Sequence, residues 1–127
     1  MSAAAVEQIR VFSDARGQVY EPLAGEILSG QRNAHVALTE PGCVRGNHHH
    51  QRGVETTVVA GPALVRCREN GALKDFEVPA GAVFRFVFPP GVTHAIKNTG
   101  ARPSAIVSFS TVSHDPSNTI PDVVMPA

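Results

Sequence analysis

The sequence has only two cysteines, no net charge and no long apolar run. Cys43 and Cys67 lie outside any spacing typical of a metal site, so we expect buried, reduced thiols in a cytoplasmic protein. The 11 basic side chains balance the 11 acidic ones, which argues against a nucleic acid or an anionic membrane as a partner held by bulk charge. No segment is long enough to span a membrane, and the N-terminal residues lack the pattern of a signal peptide.

Helical periodicity with caps is also absent, whereas short β-branched and aromatic runs recur between turn residues. This pattern predicts strands near Ile9–Phe12, Gln18–Glu21, His35–Thr39, Val44–His50, Glu55–Ala60, Ala63–Glu69, Asp75–Val78, Val83–Val87, His94–Lys97 and Ala105–Thr111. Many short strands at near-regular spacing indicate an all-β sandwich or barrel. We predict one domain over residues 1–127, with an irregular, proline-containing tail from about residue 114.

Three consecutive histidines, His48, His49 and His50, precede Glu55. Because side chains alternate along a strand, His48 and His50 should point to one face and His49 to the other. A turn at residues 51–54 would place Glu55 beside the two histidines on a paired strand. Two imidazoles and a carboxylate on one face predict most of a metal site. The alternative is a solvated histidine-rich loop that binds nothing.

The segment at residues 81–98, GAVFRFVFPPGVTHAIKN, offers a further ligand. Its three alternating phenylalanines predict a strand with one packed aromatic face. The Pro-Pro-Gly turn that follows would hold the direction of the next strand rigidly, as a metal ligand at its start requires. The predicted ligands are therefore His48, His50, Glu55 and His94.

Three other side chains are candidates for substrate binding or proton transfer. In a regular strand Arg45 would face away from His48, but a bulge at Gly46 would turn it inward, where it would suit a carboxylate or phosphate. Tyr20 either offers its phenol to a pocket or lies half-buried with its hydroxyl in water. His35 lies in an alternating strand and is a candidate base or pocket-lining residue rather than a fifth ligand.

The two segments resemble the two sequence motifs of the cupin superfamily. The first motif has a Gly, a His-x-His, a Glu and a closing Gly, and the second has a Gly, a Pro-x-Gly, a His and an Asn. The matching residues are Gly42, His48, His50, Glu55 and Gly61, followed by Gly81, Pro89, Gly91, His94 and Asn98. The resemblance implies a double-stranded β-helix, or jelly-roll barrel, with the metal held by the four ligands named above. The spacing from Gly81 to Pro89 exceeds the usual pattern by two residues, which predicts a longer strand or a bulge.

A narrower resemblance covers nearly the whole chain. It is to the C-terminal cupin domain of bifunctional capsular-polysaccharide enzymes, which act on UDP-linked deoxy-keto sugars and assign epimerisation to the cupin half and reduction to a Rossmann half. The residues that carry it include Asp14–Gly17, Glu21, Arg45–His48, Glu55, Pro89–Gly91, Thr93–His94, Asn98–Gly100 and Asp115–Pro116. The Arg-Gly-x-His run is also similar to dTDP-keto-sugar epimerases and ketoisomerases. In those epimerases the matching histidine is a base and no metal is used, so His48 is either a ligand or a base.

These resemblances imply a metal-dependent sugar-nucleotide epimerase or isomerase in polysaccharide or deoxysugar biosynthesis. The metal would be a divalent ion, Zn, Ni, Fe or Mn with zinc preferred, that acts as a Lewis acid while Tyr20, His35 or a metal-bound hydroxide removes a proton. Arg45 would bind an anionic group of the substrate. The alternatives are a metal-dependent dioxygenase and a non-catalytic cupin that binds a small ligand. Small cupins commonly pair through an edge strand, so we expect a homodimer, with the N-terminal segment as the pairing element.

Overall fold

The computed structural model describes residues 3–126, which form mainly antiparallel strands. The strands are β1 (Ala5–Ile9), β2 (Phe12–Asp14), β3 (Gly17–Val19), β4 (Asn33–Thr39), β5 (Val44–His50), β6 (Glu55–Ala60), β7 (Ala63–Glu69), β8 (Ala72–Val78), β9 (Val83–Phe88), β10 (His94–Asn98), β11 (Ser104–Ser110) and β12 (Thr119–Pro121). A five-residue helix, α1 (Gly25–Ser29), and a 3-10 turn at Pro116–Asn118 interrupt them.

Two five-stranded sheets face each other across the core. The first has the order β1-β9-β6-β11-β4 and the second the order β12-β5-β10-β7-β8, while β2 and β3 form a separate hairpin. Successive strands alternate between the two sheets from β4 to β7, which is the connectivity of a jelly roll. The all-β jelly-roll prediction is therefore confirmed.

The phenylalanines of β9 supply the centre of the core. Phe86 is fully buried, and its ring centroid lies 5.9 Å from that of Phe88 and 5.7 Å from that of Phe76 on the opposite sheet. Around them pack buried apolar side chains from both sheets, among them Val59, Val65, Cys67, Val78, Val92, Ile96 and Ile106. The aromatic face predicted for this strand is confirmed, and β9 extends to Phe88, one residue beyond the predicted end.

The N-terminal strand lies earlier in the chain than the sequence pattern predicts. It spans Ala5–Ile9 rather than Ile9–Phe12 and pairs with β9 at the edge of the first sheet. Its register places Glu7 opposite Arg85, whose Nη1 donates to the Glu7 carboxylate at 2.6 Å. This pairing joins residues far apart in sequence, so the local pattern could not locate it.

The prediction of an irregular tail from about residue 114 is wrong in part. After the 3-10 turn, β12 pairs with β5 and sets Thr119 opposite His50 and Pro121 opposite His48. A three-residue strand is too short to show an alternating pattern, and it forms here because β5 offers its free edge. The buried side chains of Val124 and Met125 then fix the end of the tail against the second sheet.

Helix α1 was also not predicted. It has only five residues, no side-chain cap and no buried residue, so neither apolar periodicity nor a capping signal marks it in the sequence. The two cysteines are free. Cys67 is buried as predicted, and burial raises the pKa of its thiol to about 12, whereas Cys43 is exposed in the turn before β5.

Candidate metal centre

Four side chains from three strands converge at one end of the barrel. His48 and His50 come from the end of β5, Glu55 from the start of β6 and His94 from the start of β10, and one ligand atom of each lies within 4.8 Å of the others. The Glu55 Oε1 atom is 3.2 Å from His50 Nε2 and 2.8 Å from His94 Nε2. Imidazole and carboxylate groups at this separation form a donor set suited to a divalent transition metal.

The alternation predicted for the three histidines is confirmed. His48 and His50 point into the barrel, whereas His49 points outward, where its Nδ1 lies 3.2 Å from Thr93 Oγ1. The route by which Glu55 reaches them differs from the prediction. Strands β5 and β6 belong to different sheets, so Glu55 faces the histidines across the barrel and does not lie beside them on a paired strand. The turn at residues 51–54 carries the chain from one sheet to the other.

The orientation of His94 is set by its neighbours. The Nδ1–H group donates to the Val92 carbonyl oxygen at 3.1 Å, and the ring stacks on Phe88 with centroids 3.9 Å apart. In the neutral ring this leaves the Nε2 lone pair directed at Glu55 Oε1, only 2.8 Å away. Two electron-rich atoms at this distance repel unless a proton or a cation lies between them. The residues present therefore fit a bound cation. The hydrogen bond from His94 Nδ1–H to the Val92 carbonyl oxygen is also of the kind that metal-ligating histidines make through the nitrogen that does not bind the metal.

Electrostatics keep two of the ligands in the forms that bind metal. Burial alone would raise the pKa of Glu55, but hydrogen bonds from His50 and His94, formed when a proton lies between each ring and the carboxylate, outweigh that effect and hold the pKa well below its usual range. Burial, followed by the proximity of His94, lowers the pKa of His48 to about 4. At neutral pH Glu55 is therefore a carboxylate and His48 a neutral imidazole.

A bulge before the histidines decides where Arg45 points. Gly46 has a φ angle of +92° and Asn47 one of +58°, and the register of β5 with β10 shifts so that His48 lies opposite His94 while Gly46 lies opposite Ala95. Arg45 consequently lines the same cavity as His48. Its Nη2 donates to the Leu38 carbonyl oxygen at 3.0 Å. Of the two orientations open from the sequence, the structure has the inward one.

This bulge predicts a different cost for alanine at two glycines with similar backbone angles. A Cβ on Gly46 would lie 2.7 Å from the His94 carbonyl oxygen, whereas a Cβ on Gly42 (φ +78°) would meet nothing within 4 Å. Gly42→Ala should cost about 1–2 kcal/mol of unfolding free energy for its left-handed angle alone. Gly46→Ala should cost clearly more, because β10 must move away at His94. Urea unfolding of both variants measures the difference, and equal costs would contradict the close approach.

The tail supports the ligand strands from behind, which the sequence did not reveal. Thr93 Oγ1 donates to Asp122 Oδ2 at 2.6 Å, and Asn47 Oδ1 accepts from the backbone N–H groups of Val124 and Met125, both at 2.9 Å. These contacts tie the segment after β12 to the strand and turn that carry His48 and His94. Polar tail residues after a proline-containing stretch give no local signal of such a role.

A cavity of about 310 Å³ is lined by three of the four candidate ligands, His48, Glu55 and His94. Its polar lining outside the ligand set consists of His35, Arg45, Thr57 and Ser108. His35 also lines a smaller cavity of about 50 Å³, together with His50 and Glu55. Tyr20 lines neither of these two cavities; it is half-buried between β3 and α1, where burial raises the pKa of its phenol. Of the two predicted proton-transfer residues, only His35 is therefore placed beside the ligands.

Residues 12–122 match the family described as the polysaccharide biosynthesis C-terminal domain. The chain belongs to this family. The match covers both histidine-containing segments and most of the tail, so it includes all four candidate ligands. The narrower resemblance seen in the sequence is confirmed. Comparison with curated proteins found no match, and residues 3–126 contain no helix with the length and hydrophobicity needed to cross a bilayer.

Solved structures of similar fold include sugar-modifying enzymes. The capsular polysaccharide assembling protein CapF from Staphylococcus aureus is 25% identical over 74% of this chain, with a TM-score of 0.66, and the match spans 27% of that protein. The sugar 3,4-ketoisomerase QdtA from Thermoanaerobacterium thermosaccharolyticum, solved with TDP, is 15% identical over 92% of this chain and 86% of its own, with a TM-score of 0.71. The 3'-monoepimerase ChmJ from Streptomyces bikiniensis, solved with dTDP-quinovose, is 19% identical over 91% of this chain and 67% of its own, with a TM-score of 0.73. The cupin fold predicted from the two motifs is confirmed.

Proposed function

We propose that this chain is a sugar-nucleotide epimerase or isomerase of polysaccharide or deoxysugar biosynthesis, and that His48, His50, Glu55 and His94 hold a divalent metal, with zinc preferred. The observation that carries the metal proposal is the 2.8 Å approach of His94 Nε2 to Glu55 Oε1, with the Nδ1–H of the same ring already donated to a carbonyl oxygen. Family membership and the similar fold of a 3,4-ketoisomerase and a 3'-monoepimerase support the substrate class.

The positions of the cluster and the cavity suggest which residues would bind the metal and which would remove a proton from the substrate. A divalent cation bound here would supply Lewis-acid stabilisation of the negative charge that builds up on a substrate carbonyl oxygen. His35, at the mouth of the cavity beside Glu55, would take a proton from the carbon next to that carbonyl. Delivery of a solvent-derived proton from the opposite face gives epimerisation, and delivery of a proton to the neighbouring carbon gives isomerisation.

Arg45 would bind the charged part of the substrate. It is the one arginine that lines the larger cavity in the described part of the chain, and its side chain is held by the Leu38 carbonyl oxygen and, at 3.4 Å, by Thr39 Oγ1. These contacts use Nε and Nη2 and leave Nη1 for an anion such as a diphosphate. We also predict a homodimer paired through the N-terminal segment. Strand β1 lies at the edge of its sheet and can pair with a second copy.

Exchange of substrate hydrogen with solvent tests the reaction. Untagged protein is incubated in D₂O with UDP- or dTDP-linked 4-keto-6-deoxyglucose, and deuterium incorporation is followed by mass spectrometry. We expect deuterium at a carbon next to the carbonyl, because proton removal there is common to both reactions. Treatment with a chelator should stop the exchange and added zinc should restore it. No exchange with either sugar nucleotide by metal-loaded protein would contradict the proposal.

A further inference from the structure

Two buried hydroxyl groups face each other in the wall of the larger cavity. Thr57 Oγ1 lies 3.1 Å from Ser108 Oγ, and the two residues are 1% and 4% exposed. They are paired neighbours on β6 and β11. The cavity wall beside them includes the apolar side chains of Ala37, Ile96 and Ile106, and His35 lies opposite Ser108 on β4. A pair of hydroxyls in such a wall calls for an explanation, since buried polar groups are costly unless their hydrogen bonds are made.

The pair cannot satisfy its own hydrogen-bonding capacity. Each hydroxyl carries one donor and two acceptor lone pairs, so one O–H group can donate to the other oxygen while the second O–H group is left over. Within residues 3–126 neither oxygen has another hydrogen-bond partner. Because both residues line the cavity, the remaining donor and the free lone pairs are available to a molecule that enters it. Either hydroxyl can rotate, so the pair can donate to a carbonyl oxygen or accept from a hydroxyl group.

The pair lies at a defined distance from the candidate metal centre. Thr57 follows Glu55 by two positions on β6 and points to the same side of the sheet, which separates their Cα atoms by about 7 Å. On β11 the register repeats this step, with Ser110 opposite Glu55 and Ser108 opposite Thr57. A ligand of the size of one sugar ring, with oxygens on opposite sides, can therefore reach the ligand cluster and the hydroxyl pair together.

We infer that Thr57 and Ser108 form a binding subsite for a second oxygen of the substrate's sugar ring, a hydroxyl or carbonyl group remote from the reacting carbon. This inference rests on the proposed function for the class of ligand, a nucleotide-linked deoxyhexose. The subsite orients the ring, so that the carbon carrying the exchangeable hydrogen faces His35. It also discriminates against sugars that lack this oxygen, because they leave the buried hydroxyl pair unsatisfied.

The test compares the same substitution on the two faces of β6. Thr57→Val removes the cavity hydroxyl with little change in shape, and Thr56→Val makes the identical change on the neighbouring residue, which is 4% exposed and does not line the cavity. Isothermal titration calorimetry measures the affinity of each variant for UDP- and dTDP-linked 6-deoxyglucose and for UDP and dTDP alone. We expect Thr57→Val to weaken binding of the preferred sugar nucleotide about 10-fold, a factor typical of one lost hydrogen bond. Binding of the free nucleotide should not change.

Two further variants guard against misfolding. Ser108→Ala removes the other hydroxyl and should also weaken binding of the sugar nucleotide, while Thr57→Ser keeps the hydroxyl and should restore it; thermal unfolding checks that each variant is folded. Wild-type affinity in both Thr57→Val and Ser108→Ala, or an equal loss for sugar nucleotide and free nucleotide, would overturn the subsite. Weaker sugar-nucleotide binding in Thr57→Val and Ser108→Ala, with no hydrogen exchange by the wild-type protein, would overturn the proposed reaction and support the subsite. Wild-type protein that binds no sugar nucleotide would overturn both.

Discussion

Alanine at His48 or His94 is expected to remove the metal from the purified protein, whereas alanine at His49 is expected to leave it in place. The three variants lose the same side chain, but only His49 points out of the barrel, toward Thr93. Loss of a hydrogen bond to a metal ligand already weakens metal binding by about 10–100-fold, so loss of a ligand itself should cost more than about 100-fold. In the described part of the chain, the His49 side chain makes no hydrogen bond to any of the four candidate ligands. Elemental mass spectrometry measures the metal content of each variant. The protein is untagged because a histidine tag would bind metal itself.

The identity of the metal in the wild-type protein distinguishes between the candidate reactions. Near-stoichiometric zinc or nickel would favour proton-transfer chemistry without a redox step. Iron would favour the dioxygenase alternative, for which the same ligands would leave positions open to O₂. If wild-type protein holds no metal after reconstitution, or if His49→Ala loses as much as His48→Ala, the four-ligand site is wrong. His48 would then be the first candidate for a base in a metal-free pocket.

His35→Asn is expected to lower the rate of hydrogen exchange by about 100- to 10,000-fold, the usual contribution of a general base. Tyr20→Phe should leave the rate near that of the wild-type protein, because Tyr20 lines neither cavity beside the ligands. Both residues are equal candidates in the sequence, and their positions relative to Glu55 separate them. Steady-state rates in D₂O measure the effect, and the metal content of each variant shows whether the ligands are intact.

The reverse result would be informative. A large loss in Tyr20→Phe with normal exchange in His35→Asn would make the phenol the base and would require a movement of the segment between β3 and α1. Normal rates in both variants would leave a metal-bound hydroxide as the candidate, as the sequence resemblance allows. A loss of metal in His35→Asn would indicate that His35 helps to position the candidate ligands, because it lines both cavities next to Glu55.

Much of the site could be predicted because its signals are local. The alternation of a strand assigns His48 and His50 to one face and His49 to the other, and β5 was placed correctly at Val44–His50. A Pro-Pro-Gly turn that ends three residues before His94, the first residue of its strand, marks the fourth candidate ligand. One member of the hydroxyl pair, Thr57, could have been predicted in the same way, because it lies two residues after Glu55 and points to the same face of β6.

Other features depend on contacts between distant residues. From the sequence, residues 44–50 could form either a regular strand or a strand with a bulge at Gly46. The structure has the bulge, with Gly46 close to the His94 carbonyl oxygen, and the bulge sets the direction of Arg45. Strand β12 was missed because three residues show no period, and its place is set by the free edge of β5.

By itself the sequence determined the strand-rich class, the jelly roll through its two motifs, and the four converging side chains that are candidate metal ligands, because strand alternation and turn chemistry act between residues that are close in the chain. Only the tertiary structure decided that Glu55 approaches the histidines from the opposite sheet, that His35 and not Tyr20 borders the cavity, and that Ser108 meets Thr57. The reason is the same in each case. Sheet order and register join strands that are tens of residues apart, and no local pattern of side chains specifies which edges will pair.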